Sequence, residues 1–556
     1  MMTSDTVRHT PIALAALLSI GVLAPSPATA QEYGPEGTSS VPLPGDEEKR
    51  PETDEKKFDV GVRLSSEVHS MNNLDLRRLD ETSDQDIIET DDRETFAMSS
   101  LSTEIDYYPL ENTEFEFGGA HSALWGSDQF GKANQFRNFI WIYELKFEWA
   151  PIKNDTTAIE LAVGRQSFEI GGVEKDYFLS DTIDGVTLEL AYEPIGTFKL
   201  VPFDFYADNS RPGDINFARY AGGDDATVQQ FRGDTNTFRF GGVYILPEIV
   251  EGFDARAFGF YADIGASTSP KGTGADRSYH GSLGNVSDRD YSWMAGARVG
   301  LGDSIETGGA IDKLKGRVFG EYARSGGVDR KDREIGLFDV KNAGNAYGGG
   351  AKGSIRFDGF ALKSRFRYFH ADGGRYHPDS GIQYGHGFVG FKGAQIGGMT
   401  LGRYAGFHPS AYLGTQGIHD SPQQTERISG TEFFQAGLGF ELAHKLNLDL
   451  NGWYLLDTSQ SDVTDEEIDE ASGDLPFGYT RADLEAQKRF GKPIGIAADA
   501  SLRYQINDVI TAYARGGAFI PSDYYEIEIS RTAGTALGSE NPPTFWAATT
   551  GAALNF

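Results

Sequence analysis

The sequence predicts an all-β fold: a transmembrane antiparallel β-barrel of about eighteen strands, of the outer-membrane porin kind. Three observations predict it. The chain opens on an export signal and has no other long apolar run. Alternating runs of roughly ten residues are joined by short turns and long polar stretches in strict succession. The last run, from Trp546 to a terminal Phe556, places Trp546, Ala548, Thr550, Ala552, Leu554 and Phe556 on one mostly apolar face. A closing strand with a C-terminal aromatic is expected to address the barrel assembly machinery.

Residues 1–30 read as a signal peptide: Arg8 is basic, Ile12 to Ala24 is apolar but too short to span a bilayer, and Ala28-Thr29-Ala30 is a small-residue cleavage site. Residues 31–57 are charged, Pro-rich and without period, and read as a disordered periplasmic leader. Residues 58–556 are expected to form one barrel. Its short turns include Pro109-Leu-Glu-Asn112, Pro194-Ile-Gly196, Phe357-Asp-Gly359 and Asn507-Asp508, and its long stretches include 71–94, 208–235, 372–431 and 458–493. Short connections on one side and long ones on the other are the plan of outer-membrane barrels, and an even strand number leaves both termini in the periplasm. Stretches 383–402 and 478–490 could each hide a further strand, and 372–431 could enter the pore or cap it. In 139–149 the residues Phe139, Trp141, Tyr143, Leu145, Phe147 and Trp149 alternate with Glu144, Lys146 and Glu148. That pattern suggests an unbroken lipid face with Trp149 in an interfacial girdle.

Composition narrows the function. With 25 Tyr, 37 Phe and 69 Gly, the chain is rich in the residues a barrel wall uses. Its mean hydropathy is nevertheless −0.39, as expected when only alternate strand residues meet lipid. The absence of Cys excludes disulfides, thiolate metal sites and Cys nucleophiles. A net charge of −32 argues against nucleic acid as a partner. No catalytic motif, cofactor loop or metal-ligand spacing stands out; the ten histidines are scattered, and the acidic stretch 462–474 lacks the oxygen spacing of a calcium loop. No enzyme, cofactor or metal is expected. The outer-membrane lipid and lipopolysaccharide are the expected surroundings.

The polar face of the strands carries a charge map. Early strands point acids inward: Glu104, Asp106, Glu114, Glu116, Glu144, Glu148, Glu160 and Glu189. Middle strands point bases inward: Arg239, Arg256, Arg298, Lys315, Arg317, Lys352, Arg356, Lys363, Arg365 and Arg367. In 360–368 the bases Lys363, Arg365 and Arg367 stand at period two against Phe360, Leu362, Ser364, Phe366 and Tyr368. Each cation turned to mid-bilayer lipid would cost about 2–4 kcal/mol, so the bases must face the lumen. A wall of Lys and Arg is how pores pass anions. Pairing of the two walls as a transverse field, with little selectivity, is the competing arrangement.

Two stretches resemble the alginate export family of outer-membrane proteins. Gly164-Arg165-Gln166, followed by Asp184-Gly185-Val186, is similar to that family's Gly-Arg-Gln and Asp-Gly-Val signature. Ile496 to Pro521, with Tyr524 and Tyr525 beyond, resembles its closing strand pair. The resemblance implies an eighteen-stranded barrel with an arginine-rich passage for an anionic polysaccharide. The acidity of the early strands departs from what a polyuronate would favour. Arg165 shares parity with Leu161 and Val163, so it requires a bulge or a strand end nearby. The function expected is a channel for an anionic saccharide or other anionic solute, with a general porin and a structural or adhesive barrel as alternatives.

Overall fold

The computed structural model describes residues 58–72, 94–125, 138–154, 156–205, 237–264, 290–307, 311–329, 340–376, 383–388, 390, 396, 430–443, 445–461, 490–522, 524 and 544–556. The signal peptide and leader expected over 1–57 lie outside the described residues, as do the acidic stretch 462–474 and, but for Phe490, the possible strand at 478–490.

The strands are β1 (Phe58–Asn72), β2 (Glu94–Tyr107), β3 (Thr113–Trp125), β4 (Asn138–Lys153), β5 (Thr157–Glu169), β6 (Ser180–Tyr192) and β7 (Gly196–Phe205). Next come β8 (Thr237–Ile245), β9 (Phe253–Ile264), β10 (Asp290–Glu306), β11 (Ile311–Asp329), β12 (Val340–Phe357) and β13 (Phe360–Ala371). The short pieces β14 (Arg375–Tyr376) and β15 (Gln383–Gly387) follow, then β16 (Thr431–Leu442), β17 (Leu446–Asp457) and the short β18 (Gln460–Ser461). The last three are β19 (Pro493–Gln505), β20 (Ile510–Pro521) and β21 (Phe545–Asn555). Setting aside β14, β15 and β18, the strands form a closed antiparallel barrel of 18. Each strand pairs with its neighbour in the chain, and β1 pairs with β21 to close the ring. The terminal residue completes the seam: Val62 and Phe556 exchange backbone hydrogen bonds of 3.1 and 2.8 Å. Closure leaves no open edge, the condition for a sheet to cross lipid.

Alternation sorts the side chains. Val299, Leu301, Val318, Phe366, Leu438 and Ile496 point outward and are exposed, forming the apolar belt of a membrane barrel. Aromatic pairs rim it. Phe58 stacks on Tyr107 and Phe198 on Tyr244 at the short-turn end, while Tyr368 packs on Phe434 nearer the long connections. Such girdles mark the two interfaces of an outer-membrane barrel, and the chain is a bacterial outer-membrane β-barrel.

One expected face is interrupted. A register shift between Gly118 and Gly119 leaves Tyr143 unpaired on β4. The bulge turns Tyr143 inward, where its hydroxyl donates to Glu104 Oε1 at 2.9 Å. Leu145, Phe147 and Trp149 still face outward, but Ile142 rather than Tyr143 continues their belt. A bulge shifts parity by one, which a strictly alternating reading cannot register.

Inside, an apolar layer fills the end nearer the long connections. Phe178, Phe258, Phe369, Phe388 and Phe433 are buried there in mutual contact. Two of these come from connections: Phe178 from 170–179, and Phe388 from the long stretch after β13. Their rings lie 5.8 Å apart. Part of that stretch therefore packs inside: β15 pairs in parallel with β12 at Lys341 and Asn342, and the Phe388 amide donates to the Asp372 carbonyl at 2.8 Å.

Candidate functional site on the inner wall

The connection from β5 to β6 turns into the barrel. Gly171 and Gly172 adopt φ of 70° and 81°, the left-handed backbone that glycine takes without strain. A Cβ on Gly171 would stand 2.4 Å from Arg256 Nη1, so the guanidinium lies against a turn that only glycine can make. Asp176 is the hub of the loop. Its carboxylate accepts the amides of Ile170 (3.0 Å), Gly171 (3.2 Å), Phe178 (3.1 Å) and Leu179 (3.1 Å). It also takes both terminal nitrogens of Arg298 at 2.6 Å each. The Arg298 and Asp176 side chains are 3% and 1% exposed. A buried ion pair persists only when its remaining hydrogen-bonding capacity is met. Here it is: Arg298 Nε donates to Glu321 at 3.0 Å and Nη1 to the Gly171 carbonyl at 2.9 Å.

The arginines expected to line an open passage instead hold this loop. Arg256 donates to the Ile170 carbonyl at 2.8 Å and pairs with Asp254 at 3.0 Å. Arg317 reaches the Gly172 carbonyl at 3.1 Å and Asp254 at 2.9 Å. Arg367 donates to the Lys175 carbonyl at 2.6 Å, bonds Glu321, and lies 4.3 Å from the centre of the Tyr177 ring. Arg365 bonds Glu174 at 2.8 Å and stands 3.7 Å from Asp449. A period-two reading gives these residues their face but not a carboxylate arriving from a loop.

Four of the expected cations stay open. Lys315 and Lys352 are exposed, and neither has an ion pair among the described residues. Lys363 and Arg356 share Glu441 at 3.1 and 3.9 Å, yet about half of each side chain remains exposed. Register sets the four side by side: Lys315 opposes Ser354, which opposes Lys363, while Lys352 opposes Arg317 and Arg365. All lie toward the short-turn end. Arg239 falls on β8 opposite Ala262, and its side chain lies outside those described.

Across the barrel the acids form a separate patch. Lys146 sits among them, with Nζ 2.9 Å from Glu116, 2.7 Å from Glu148 and 3.5 Å from Glu144. Glu114, Glu116 and Glu148 approach closely enough to share a cation, and the Lys146 ammonium supplies that charge. Glu189 pairs with Lys199 at 2.7 Å. The acidic wall is thus partly neutralised by its own lysines rather than by the bases opposite.

The residues of the Gly-Arg-Gln resemblance lie on β5. Gly164 has φ of 130°, and a Cβ there would meet the Leu145 carbonyl at 2.1 Å. Arg165 is half-buried on the outer face and donates to the Ile142 carbonyl at 2.8 Å, beside the Tyr143 bulge. Gln166 is buried and accepts from Thr187 Oγ1 at 3.0 Å. Gly185 opposes Gly164, and Asp184 opposes Arg165 in register. The Asp184 side chain lies outside those described. The element that sequence reasoning missed is the loop itself. Its signals were Gly171-Gly172 and the lone Asp176 before Tyr177-Phe178, in a connection too short to stand out among the long ones.

No family model matches the chain, and no curated protein matches it. Solved structures similar to it are outer-membrane proteins. OccAB1 of Acinetobacter baumannii is 10% identical, with 90% of this chain and 97% of that one covered and a TM-score of 0.44. OccK5 (OpdH) of Pseudomonas aeruginosa is 9% identical, with coverage of 90% and 98% and a TM-score of 0.41. OprD of Pseudomonas aeruginosa is 10% identical, with coverage of 90% and 94% and a TM-score of 0.39. At this level of similarity they say nothing about what this barrel passes.

Proposed function

We propose that the chain is an outer-membrane diffusion channel for an anionic solute, with an acidic saccharide of the polyuronate class as the best fit. The observation that carries this reading is the open group Lys315, Lys352, Arg356 and Lys363 on adjacent inner strands. Several exposed cations in series replace hydration and counterions without trapping the solute, which is what conduction requires. In a confined lumen they focus a positive potential despite the net charge of the whole chain. The likeness of Gly164-Arg165-Gln166 and Asp184-Gly185 to the alginate export signature favours a polyuronate such as alginate as the solute.

The test is the full-length protein in planar bilayers under a salt gradient. The expected result is a reversal potential on the anion-selective side. Short oligouronates should block current from one face, and neutral oligosaccharides of equal length should not. A second reading, a general porin with a transverse field, is favoured by the acidic patch around Lys146 facing the bases. A permeability ratio near unity with no oligouronate block would establish that reading instead.

A further inference from the structure

The inward loop presents two carboxylates to the cationic wall, and the wall holds them differently. Asp176 is enclosed, with six donors on its two oxygens. Glu174, two residues earlier, has a single hydrogen bond among the described residues, from Arg365 Nη1 at 2.8 Å. Glu174 and Arg365 are 40% and 27% exposed. Arg365 is also the cation at which the wall changes character. Its register partner Lys352 is open, whereas Arg367, two residues on, is buried against the loop.

A guanidinium matches a carboxylate best through two parallel bonds. Glu174 uses one nitrogen of Arg365, and the other lies 3.7 Å from Asp449. A half-engaged, solvent-exposed pair is weak, so a better-matched anion can replace it. Replacement leaves the loop in place, because its backbone is held independently at Ile170, Gly171, Gly172 and Lys175 by Arg256, Arg298, Arg317 and Arg367.

We propose that Glu174 is a specificity-determining residue: its carboxylate is a tethered stand-in for that of the solute, occupying Arg365 until a carboxylated solute displaces it. This rests on the reading of the barrel as an anion channel. Chloride, a single sphere of charge, gains nothing from the fork geometry and competes poorly. A carboxylate can take both nitrogens. Glu174 therefore sets a threshold that carboxylated solutes pass more readily than simple halides.

The experiment uses the full-length protein in planar bilayers, with glucuronate as the probe and its block of the chloride current as the readout. The proteins are wild type, Glu174→Gln, Glu174→Asp, Arg365→Gln and the double variant Glu174→Gln/Arg365→Gln. Glu174→Gln should tighten glucuronate block roughly tenfold and raise chloride conductance. Glu174→Asp keeps the charge but shortens the reach, and should behave like Glu174→Gln. In the Arg365→Gln background, Glu174→Gln should change nothing further. The proposal is overturned if Glu174→Asp matches wild type, or if Glu174→Gln tightens block equally in both backgrounds. Either result would mean that only the summed charge matters. An unchanged block in Glu174→Gln also overturns it. If wild type itself shows a permeability ratio near unity and no glucuronate block, the anion-channel reading fails. Weakened block in Arg365→Gln with no effect of Glu174→Gln leaves that reading standing and removes only the role of Glu174.

Discussion

Lys363 and Arg367 stand on the same face of β13, one turn of the alternation apart from Arg365 between them, yet one is half exposed and the other buried. The same contrast runs across the wall. Toward the short-turn end, Lys315, Lys352, Arg356 and Lys363 face open space. Where the 170–179 loop reaches the same wall, Arg256, Arg298, Arg317 and Arg367 clamp it. Strand parity is common to both groups. What separates them is whether a carbonyl or carboxylate from the loop reaches the cation. An inward base is therefore a candidate for solute contact only after the occupants of the lumen are known.

The contrast breaks most severely at its hub. Asp176→Asn leaves Arg298, Glu321 and Arg367 buried with one positive charge in excess, and breaking such a pair costs about 3–5 kcal/mol. The expected result is a lower urea midpoint for the loop-closed barrel and a wider single channel as 170–179 leaves the wall. An unchanged midpoint and conductance would show that the loop is held by its aromatic residues alone. Gly171→Ala attacks the same half from the backbone. Its φ of 70° and the 2.4 Å approach to Arg256 predict a cost of about 1–3 kcal/mol. Thermal melts would read that loss, and a wild-type melting temperature would mean the turn has room to shift.

The open half should respond in selectivity and not in stability. Lys315→Gln, Lys352→Gln and Lys363→Gln together remove exposed charges with few partners, so folding should change by under about 0.5 kcal/mol. The anion/cation permeability ratio should fall roughly threefold, a change of order RT in the local potential. Replacing Lys363, Arg365 and Arg367 together would be a poor probe, because Arg367 is part of the buried network and its loss would confound permeation with stability.

The barrel was legible in the sequence because lipid enforces alternation at every strand: the belt residues Val299, Val318 and Phe366 and the inner bases of β13 follow directly from period two. The terminal strand was legible for the same reason. The Tyr143 bulge was not, since one unpaired residue leaves no mark on a local pattern. Nor was the loop, because Asp176 finds Arg298 across 122 positions and nothing local distinguishes it from a surface acid. The Gly164 position could be recognised as a glycine with a structural role. Only the backbone angle and the Leu145 carbonyl beside it say why.

The closed half has a second brace, and it offers the finest test of the comparison. Asp372 accepts the Asn345 backbone amide at 2.8 Å and contacts His370 Nε2 at 3.3 Å, while its own carbonyl takes the Phe388 amide. Phe388 in turn backs Phe178 of the loop. Burial pushes the Asp372 carboxyl upward, but the bonds from His370 and Asn345 outweigh it and hold the group below its ordinary 3.8. A carboxyl lowered on folding stabilises the protein above its unfolded value, and the contribution fades as pH falls through the lower folded value. Asp372→Asn should therefore be less stable than wild type by about 1 kcal/mol at neutral pH. The two should converge as the solution is acidified below about 4, the unfolded carboxyl value. Urea titrations of both proteins across that range read the difference directly. A gap that persists undiminished at the lowest pH would assign the Asp372 contribution to shape rather than charge. The brace behind the loop would then be independent of protonation.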